Sequence, residues 1–308
     1  MKVCVSNRLF MLFLLLIGII LTGCNIKADE DPEYVESINA WKKIRYEALT
    51  NDDGYLVLAG LYWLNPGENS YGSDPSNDIV FPGKAPAVTG AFYLVGDSIY
   101  TITNPGVEIW SDGQRVDSLG LVDDGRGKPT VLEYGTLKWY AIKRGDKYGI
   151  RLKDKEHPVR RDFMGVDYFE LSEKWRVEST FIPSVKPGTI SIQNIVGMTI
   201  EQPSPGKLSF EIDRKIYTLD VLDGGEDTFF IIFGDRTNGK TTYGAGRYMY
   251  PEKPGKDNKV LLDFNKSFNP PCAFTEFATC PLPPPQNILD LRVTAGEKAY
   301  EGGPHAIP

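Results

Sequence analysis

The sequence predicts an all-β protein, a β-sandwich followed by a β-barrel-like or curved-sheet domain, with one helix near its N-terminus. Three observations carry this. The 308 residues include 31 Gly, 22 Pro, 15 Phe and 16 Tyr, a composition rich in turn-formers and strand-formers. Short apolar runs recur every 8–12 residues between turn signals, as in sandwiches and barrels. Helical periodicity is convincing in one segment only, just after residue 30.

The N-terminus opens with Lys2 and Arg8, followed by an apolar run from Leu9 to Leu21 broken only by Gly18. That run is shorter than the roughly 20 apolar residues of a membrane span and fits the core of a secretory signal. It ends in Leu21-Thr22-Gly23-Cys24, which resembles the lipobox of bacterial lipoproteins. The resemblance implies cleavage before Cys24 and lipid on its sulfur. Losing Lys2 and Arg8 makes the formal charge of −7 two units more negative. Such a balance argues against nucleic acid, whose binding rests on Lys and Arg neutralising phosphates. Asn25 rather than Asp follows Cys24, which favours the outer membrane.

The helix follows the tether. Asp31 is placed to cap it and Pro32 suits its first turn. Tyr34, Ile38, Trp41, Ile44 and Ala48 recur at spacings of three and four and predict its apolar face. From Gly54 the pattern becomes strand and turn. Leu56 to Leu64, Ser70 to Ser73, Ile79 to Phe81, Gly90 to Val95, Ser98 to Thr103 and Val107 to Trp110 read as strands, with Asp112-Gly113 as a hairpin turn. The order Gly72, then Asn77-Asp78-Ile79, then a turn at Asp112-Gly113 resembles a forkhead-associated (FHA) domain over residues 56–116. That family is a β-sandwich that reads phosphothreonine. Here Ser73 stands where the phosphate-gripping Arg belongs, and Ala85 to Gly90 holds no Ser-x-x-His. The resemblance therefore implies the sandwich without the phosphopeptide activity.

After Asp123-Asp124-Gly125 a second half begins. Thr136 to Lys143, Tyr148 to Leu152, Trp175 to Ile182, Thr189 to Ile192, Lys207 to Ile212, Lys215 to Val221 and Thr228 to Phe233 read as strands of a meander. Val185 to Gly188 and Gln202 to Gly206, both Pro-Gly rich, read as loops, and Ile288 to Val293 as a closing strand. The expected organisation is a signal peptide over 1–23, a tether and helix over 24–50, an FHA-like sandwich over 51–125 and a C-terminal β domain over 126–308.

Longer motifs run through the whole chain. They are Leu58-Ala59-Gly60-Leu61-Tyr62-Trp63-Leu64, Gly72-Ser73-Asp74, Arg151-x-x-Asp154, Thr241-Thr242-Tyr243-Gly244-Ala245-Gly246-Arg247, Asp263-Phe264-Asn265, Asn269-Pro270-Pro271-Cys272-Ala273-Phe274 and Thr279-Cys280-Pro281-Leu282-Pro283. Together they resemble the DUF1684 family, which implies no established activity.

Gly234-Asp235-Arg236-Thr237-Asn238-Gly239-Lys240-Thr241 fits the phosphate-loop pattern G-x-x-x-x-G-K-T. Gly244, Gly246 and Pro251 then deny it the helix whose N-terminus would bind phosphate, so no nucleotide or other cofactor is expected. The candidate ligand site is instead the set Asp235, Thr237, Tyr243, Arg247, Asp263, Asn265 and Asn269. Arg247 offers a fork of donors for a carboxylate or sugar hydroxyls. Asp235 and Asp263 could accept from hydroxyls, or serve as acid and base in a metal-independent hydrolase with Arg247 as anchor. The same residues could also satisfy one another as a structural pair, in an envelope scaffold without a small-molecule site. The preferred expectation is a lipoprotein that binds a small polar ligand or an envelope component; whether it is also an enzyme stays open. Its partners are then a membrane, through the lipid, and that ligand or an envelope protein.

Cys272 and Cys280 stand eight residues apart and are expected to pair in an oxidising compartment. A catalytic Cys would need a base, and the chain has only His157 and His305. Two histidines and no paired-ligand spacing speak against a zinc site.

Overall fold

The computed structural model describes residues 31–304. The segment expected to be a signal peptide, the Cys24 expected to carry lipid, and His305 lie outside them. Among the described residues α1 (Pro32–Thr50) is the one long helix. Asp31 caps it, accepting from the Glu33 amide at 3.1 Å, and Pro32 occupies the first turn. The buried face differs from the expected one. Tyr34, Ile38 and Leu49 are buried, while Ile44 is 65% exposed. The inward stripe runs Tyr34, Ile38, Arg45, Leu49, because Arg45 turns inward to a buried carboxylate. A charge on the core-facing side defeats an apolar-periodicity reading.

Eleven strands follow: β1 (Leu58–Trp63), β2 (Gly67–Gly72), β3 (Ile79–Val80), β4 (Gly90–Val95), β5 (Ser98–Thr103), β6 (Ile109–Ser111), β7 (Gln114–Val116), β8 (Ser118–Leu121), β9 (Val131–Tyr134), β10 (Leu137–Arg144) and β11 (Lys147–Asp154). They form two sheets, β1-β11-β10-β9-β6-β7 and β3-β2-β4-β5-β8. The inner faces of both sheets meet in one core. Tyr71, Phe81 and Phe92 from one side close on Trp139 from the other, with Phe81 edge-on to Trp139 at 5.3 Å. Burial pushes the Tyr71 phenol up to about 12, and its hydroxyl pairs with that of Thr101 at 3.2 Å. This is a β-sandwich. The expected boundary at residue 125 is corrected: β9 to β11 complete the sandwich, because β11 pairs with β1 and β9 with β6. The turn at Asp112-Gly113 has φ of 47° and 75°, the left-handed pair that a two-residue hairpin turn requires.

Asp154 ends β11 and ties the sandwich's rim. Burial would raise its carboxyl, but Lys84 at 2.9 Å, the Glu156 amide and the Thr136 hydroxyl bring it below its ordinary value. Its contribution to stability is thus complete above about pH 4 and is lost as pH falls through the depressed value. Asp154→Asn should flatten the acid limb of a stability-versus-pH curve. An unchanged acid midpoint would show that Asp154 contributes nothing there.

The second half holds β12 (Arg176–Gln193), β13 (Thr199–Ile212), β14 (Lys215–Asp223), β15 (Phe229–Phe233), β16 (Arg247–Met249) and β17 (Lys259–Asp263). They form one curled sheet ordered β16-β15-β14-β13-β12-β17 around a second core of Trp175, Leu208, Phe210, Leu219, Phe233, Phe264 and neighbours. β16 and β17 are consecutive in sequence yet stand at opposite edges. The sheet therefore curls into a half-barrel with an open seam between them.

Two sequence expectations fail in this half. Val185 to Gly188 and Gln202 to Gly206 are not loops; they lie within β12 and β13. β17 leaves β12 after Thr180, and β14 leaves β13 before Gly206. The outer part of the hairpin is thus a two-stranded ribbon flanked by no other strand of the sheet, and its register breaks between Pro183 and Gly188, so proline costs no ladder bond there. Ile288 to Val293 is not a strand. It touches the sheet through one bridge, Gly234 to Ile288, and buries Leu289 and Val293 in the core as irregular chain.

Candidate functional site

The residues expected to surround an opening divide between a sealed centre and a cavity. β15 and β16 pair Phe233 with Arg247, and the phosphate-loop-like segment joins the two strands. That segment folds on itself. The Asp235 amide donates to Asn238 Oδ1, Lys240 and Thr241 amides donate to the Thr237 carbonyl, and the chain enters β16 rather than a helix. Asp235 Oδ1 accepts from the Thr237 amide at 2.7 Å and the Val293 amide at 3.3 Å. Its Oδ2 accepts from Arg247 Nη2 at 2.7 Å, with both side chains fully buried. Arg247 also donates to the carbonyls of Val293, Ala295 and Glu297, and lies 5.3 Å from the Phe233 ring centre. Burial pulls the guanidinium below its usual value against the attraction of Asp235.

This corrects the expected site. Val293, Ala295 and Glu297 are buried in irregular chain, so their carbonyls need donors from elsewhere. Arg247 donates to all three through Nη1 and Nη2, and only its Nε, buried and facing no cavity, is left without a partner. Thr237 is equally consumed: its hydroxyl pairs with that of Thr242 at 2.8 Å. Tyr243 donates to the Cys272 carbonyl at 3.1 Å. Asn269 Nδ2 donates to the Lys298 carbonyl at 2.7 Å. Asp235 and Asp263 share neither a partner nor a cavity, so the two-carboxylate hydrolase arrangement is absent.

Gly246 shows how tightly this centre is closed. Its φ is +88°, and a Cβ there would sit 2.4 Å from Pro283 and 2.6 Å from the Phe233 carbonyl oxygen. Cys272 and Cys280 come together as expected, but as two buried free thiols, with the Cys272 amide 3.0 Å from Cys280 Sγ.

Asp263 belongs to a different place. A cavity of about 520 Å³ opens in the seam of the half-barrel, lined by β17, the chain after β16, the start of β12, and Tyr34 and Ser37 of α1. Asp263 accepts from Tyr34 Oη at 2.8 Å, and Asn265 Nδ2 donates to the same oxygen at 2.9 Å while also reaching the Ser172 carbonyl. Burial, and then the Asp263 charge, push the Tyr34 phenol up, so it stays protonated and donates. Arg176 lies over the Tyr34 ring at 4.6 Å. Lys259 is paired with Glu178 at 2.6 Å, and Lys253 with Asp223 at 2.8 Å. Arg176 and Lys266 also line the cavity, and neither forms an ion pair among the described residues. The size falls within the usual range of small-molecule sites.

Sequence reasoning missed Arg176, Lys266, Arg45 and Glu297. Glu297 is fully buried, accepting from Arg45 Nε at 2.9 Å and the Asn269 amide at 2.7 Å. A lone Glu in a polar tail carries no periodic signal, and Arg45 looks like any helix-surface cation. The uncommon feature was available only at Arg176, an Arg opening a strand beside Trp175.

Comparison with known proteins follows the second half of the chain. A family model described as "Protein of unknown function (DUF1684)" matches residues 161–298, so the motifs from Leu58 to Asp154 fall outside the match. The solution NMR structure of an uncharacterized protein of Haloarcula marismortui is 32% identical; the match covers 45% of this chain and 78% of that one, with a TM-score of 0.38. No curated protein matches the chain. Residues 161–298 of the chain belong to the DUF1684 family.

Proposed function

We propose that this protein is a lipid-anchored component of a bacterial cell envelope, on the outer membrane, that binds a small polar, anionic ligand in the seam of its half-barrel. The observation that carries the binding reading is the cavity of about 520 Å³ holding Arg176 and Lys266 without ion partners. Arg176 is exposed and Lys266 half-buried at this cavity, and a carboxylate or phosphate entering it would gain charge-assisted hydrogen bonds from both. Tyr34 brings the membrane-proximal helix to the rim of the same cavity, so the ligand would touch the tethered element directly. The anchor reading rests on Leu21-Thr22-Gly23-Cys24. No helix among the described residues is long and apolar enough to cross a membrane.

The test is a thermal-shift screen of carboxylates, inorganic phosphate and acidic sugars on the full chain in detergent. A ligand at ~100 times its Kd should stabilise by about 2.7 kcal/mol. Arg176→Ala should weaken that ligand by roughly tenfold or more, the cost of one charge-assisted hydrogen bond. Binding unaffected by Arg176→Ala would move the site elsewhere; no shift across the panel would leave the scaffold reading. Cys24→Ser should release the chain from the membrane fraction, and retention there would remove the lipid anchor.

A further inference from the structure

Cys272 and Cys280 lie in a third core, apart from the seam cavity. It gathers Leu49 of α1, Leu56, Phe163, Tyr243, Phe274 and Ala278 where helix, sandwich and half-barrel meet. Both cysteines are at most 3% exposed. If they served only as small apolar filling, nothing would require them to touch. They do: the Cys272 amide lies 3.0 Å from Cys280 Sγ, which places the second sulfur beside the backbone of the first cysteine.

The chain around Cys280 has a further role. Its carbonyl accepts from the Ile195 amide at 2.9 Å, and the Leu282 amide donates to the Gln193 carbonyl at 2.7 Å. Pro281 bridges Asn194 at the tip of the β12–β13 hairpin and accepts from Tyr248 Oη at 2.7 Å. Thr279 is held by Arg144 Nε at 3.0 Å and Arg151 Nη2 at 3.3 Å, both from the sandwich. Thr279 and Pro281 form one wall of a mainly apolar cavity of about 380 Å³, whose other sides include Ile192, Ile200, Leu222 and Phe230.

We propose that Cys272 and Cys280 are a disulfide site, and that their bond fixes the 279–282 wall of this second cavity against the hairpin tip. The reaction is thiol–disulfide exchange. While this core is open, before it closes in folding or on local unfolding, one thiolate attacks an external disulfide, the second attacks the resulting mixed disulfide, and the Sγ–Sγ bond forms. The two electrons and two protons leave on the external disulfide, which departs as two thiols.

The test takes the full chain in detergent, equilibrated with oxidised and reduced glutathione, quenched with acid and mapped by non-reduced peptide mass analysis. The mapping separates this pair from Cys4 and Cys24. The expected result is a linked peptide pair containing Cys272 and Cys280. Reducing it should lower Tm by roughly 5 °C. Cys280→Ala should lower Tm similarly and abolish the response to reductant. The Ile195 and Leu282 amides should exchange faster after reduction. Two alkylatable thiols at equilibrium, a glutathione adduct on one cysteine alone, or cross-linked chains would overturn the disulfide. Exchange at Ile195 and Leu282 that ignores reduction would overturn its role in the wall. The wild-type chain with and without reductant supplies the comparison even if Cys280→Ala does not fold.

Discussion

Arg247→Ala is expected to lower the unfolding free energy by about 3–5 kcal/mol, the cost of leaving one member of a buried ion pair alone. The loss has two parts. Asp235 loses its cation in a site with no exposure, and only the Thr237 and Val293 amides remain as its partners. The carbonyls of Val293, Ala295 and Glu297 lose donors while staying buried. Urea denaturation of wild type, Arg247→Ala, Asp235→Asn and the double variant measures both. The double variant should lose less than the sum of the singles, because removing both charges leaves none unpaired. A loss under about 1 kcal/mol for Arg247→Ala would mean that water reaches the site and that the pair is a surface-like interaction.

Glu297→Ala ranks second, with an expected loss of about 2–4 kcal/mol. Glu297 joins three pieces of chain that are far apart in sequence. It accepts from Arg45 on α1, from the Asn269 amide and, at 3.4 Å, from Tyr168 Oη. Burial, and then the Glu297 charge, push the Tyr168 phenol up, so it remains a donor throughout the neutral range. Arg45 also donates to the Asn269 carbonyl at 2.9 Å and lies over the Phe268 ring at 4.5 Å. With Glu297 gone, a nearly buried guanidinium loses its counter-charge and α1 loses its central anchor. Hydrogen exchange should therefore rise along residues 32–50 in Glu297→Ala, while the sandwich amides stay as protected as before. Equal exchange in α1 would show that Tyr34, Ile38 and Leu49 hold the helix unaided. Arg45→Ala should reproduce the α1 effect with a smaller global loss, since it leaves Glu297 able to reach the Asn269 amide and Tyr168.

The two variants also separate architecture from ligand binding. Neither Arg247 nor Glu297 lines the seam cavity, whereas Arg176 and Lys266 do. A stable Arg176→Ala chain that has lost its ligand, beside a destabilised Arg247→Ala chain, is the pattern expected of a half-barrel with its site in the seam.

The β class, the capped start of α1 and the turn at Asp112-Gly113 were all legible in the sequence, because each rests on local chemistry. Asp31 and Pro32 act within one helical turn, and Gly113 takes a φ that few other residues tolerate. β4 and β5 fall where the short apolar runs between turn signals placed them. Other features required the third dimension. Arg247 and Asp263 look alike in sequence as polar residues among glycines and aromatics. Yet one is spent on carbonyls 46 to 50 residues away, and the other faces a cavity. The prolines of β12 and β13 signal loops unless it is known that no neighbouring strand needs their missing amides. The seam exists because β16 and β17, consecutive in the chain, end at opposite edges of a curled sheet. Sequence by itself determined which segments could be strand, turn or helix, through torsional preference and periodicity. Only the tertiary structure decided which polar groups are spent on one another and which face open space, because that depends on partners brought close by the fold.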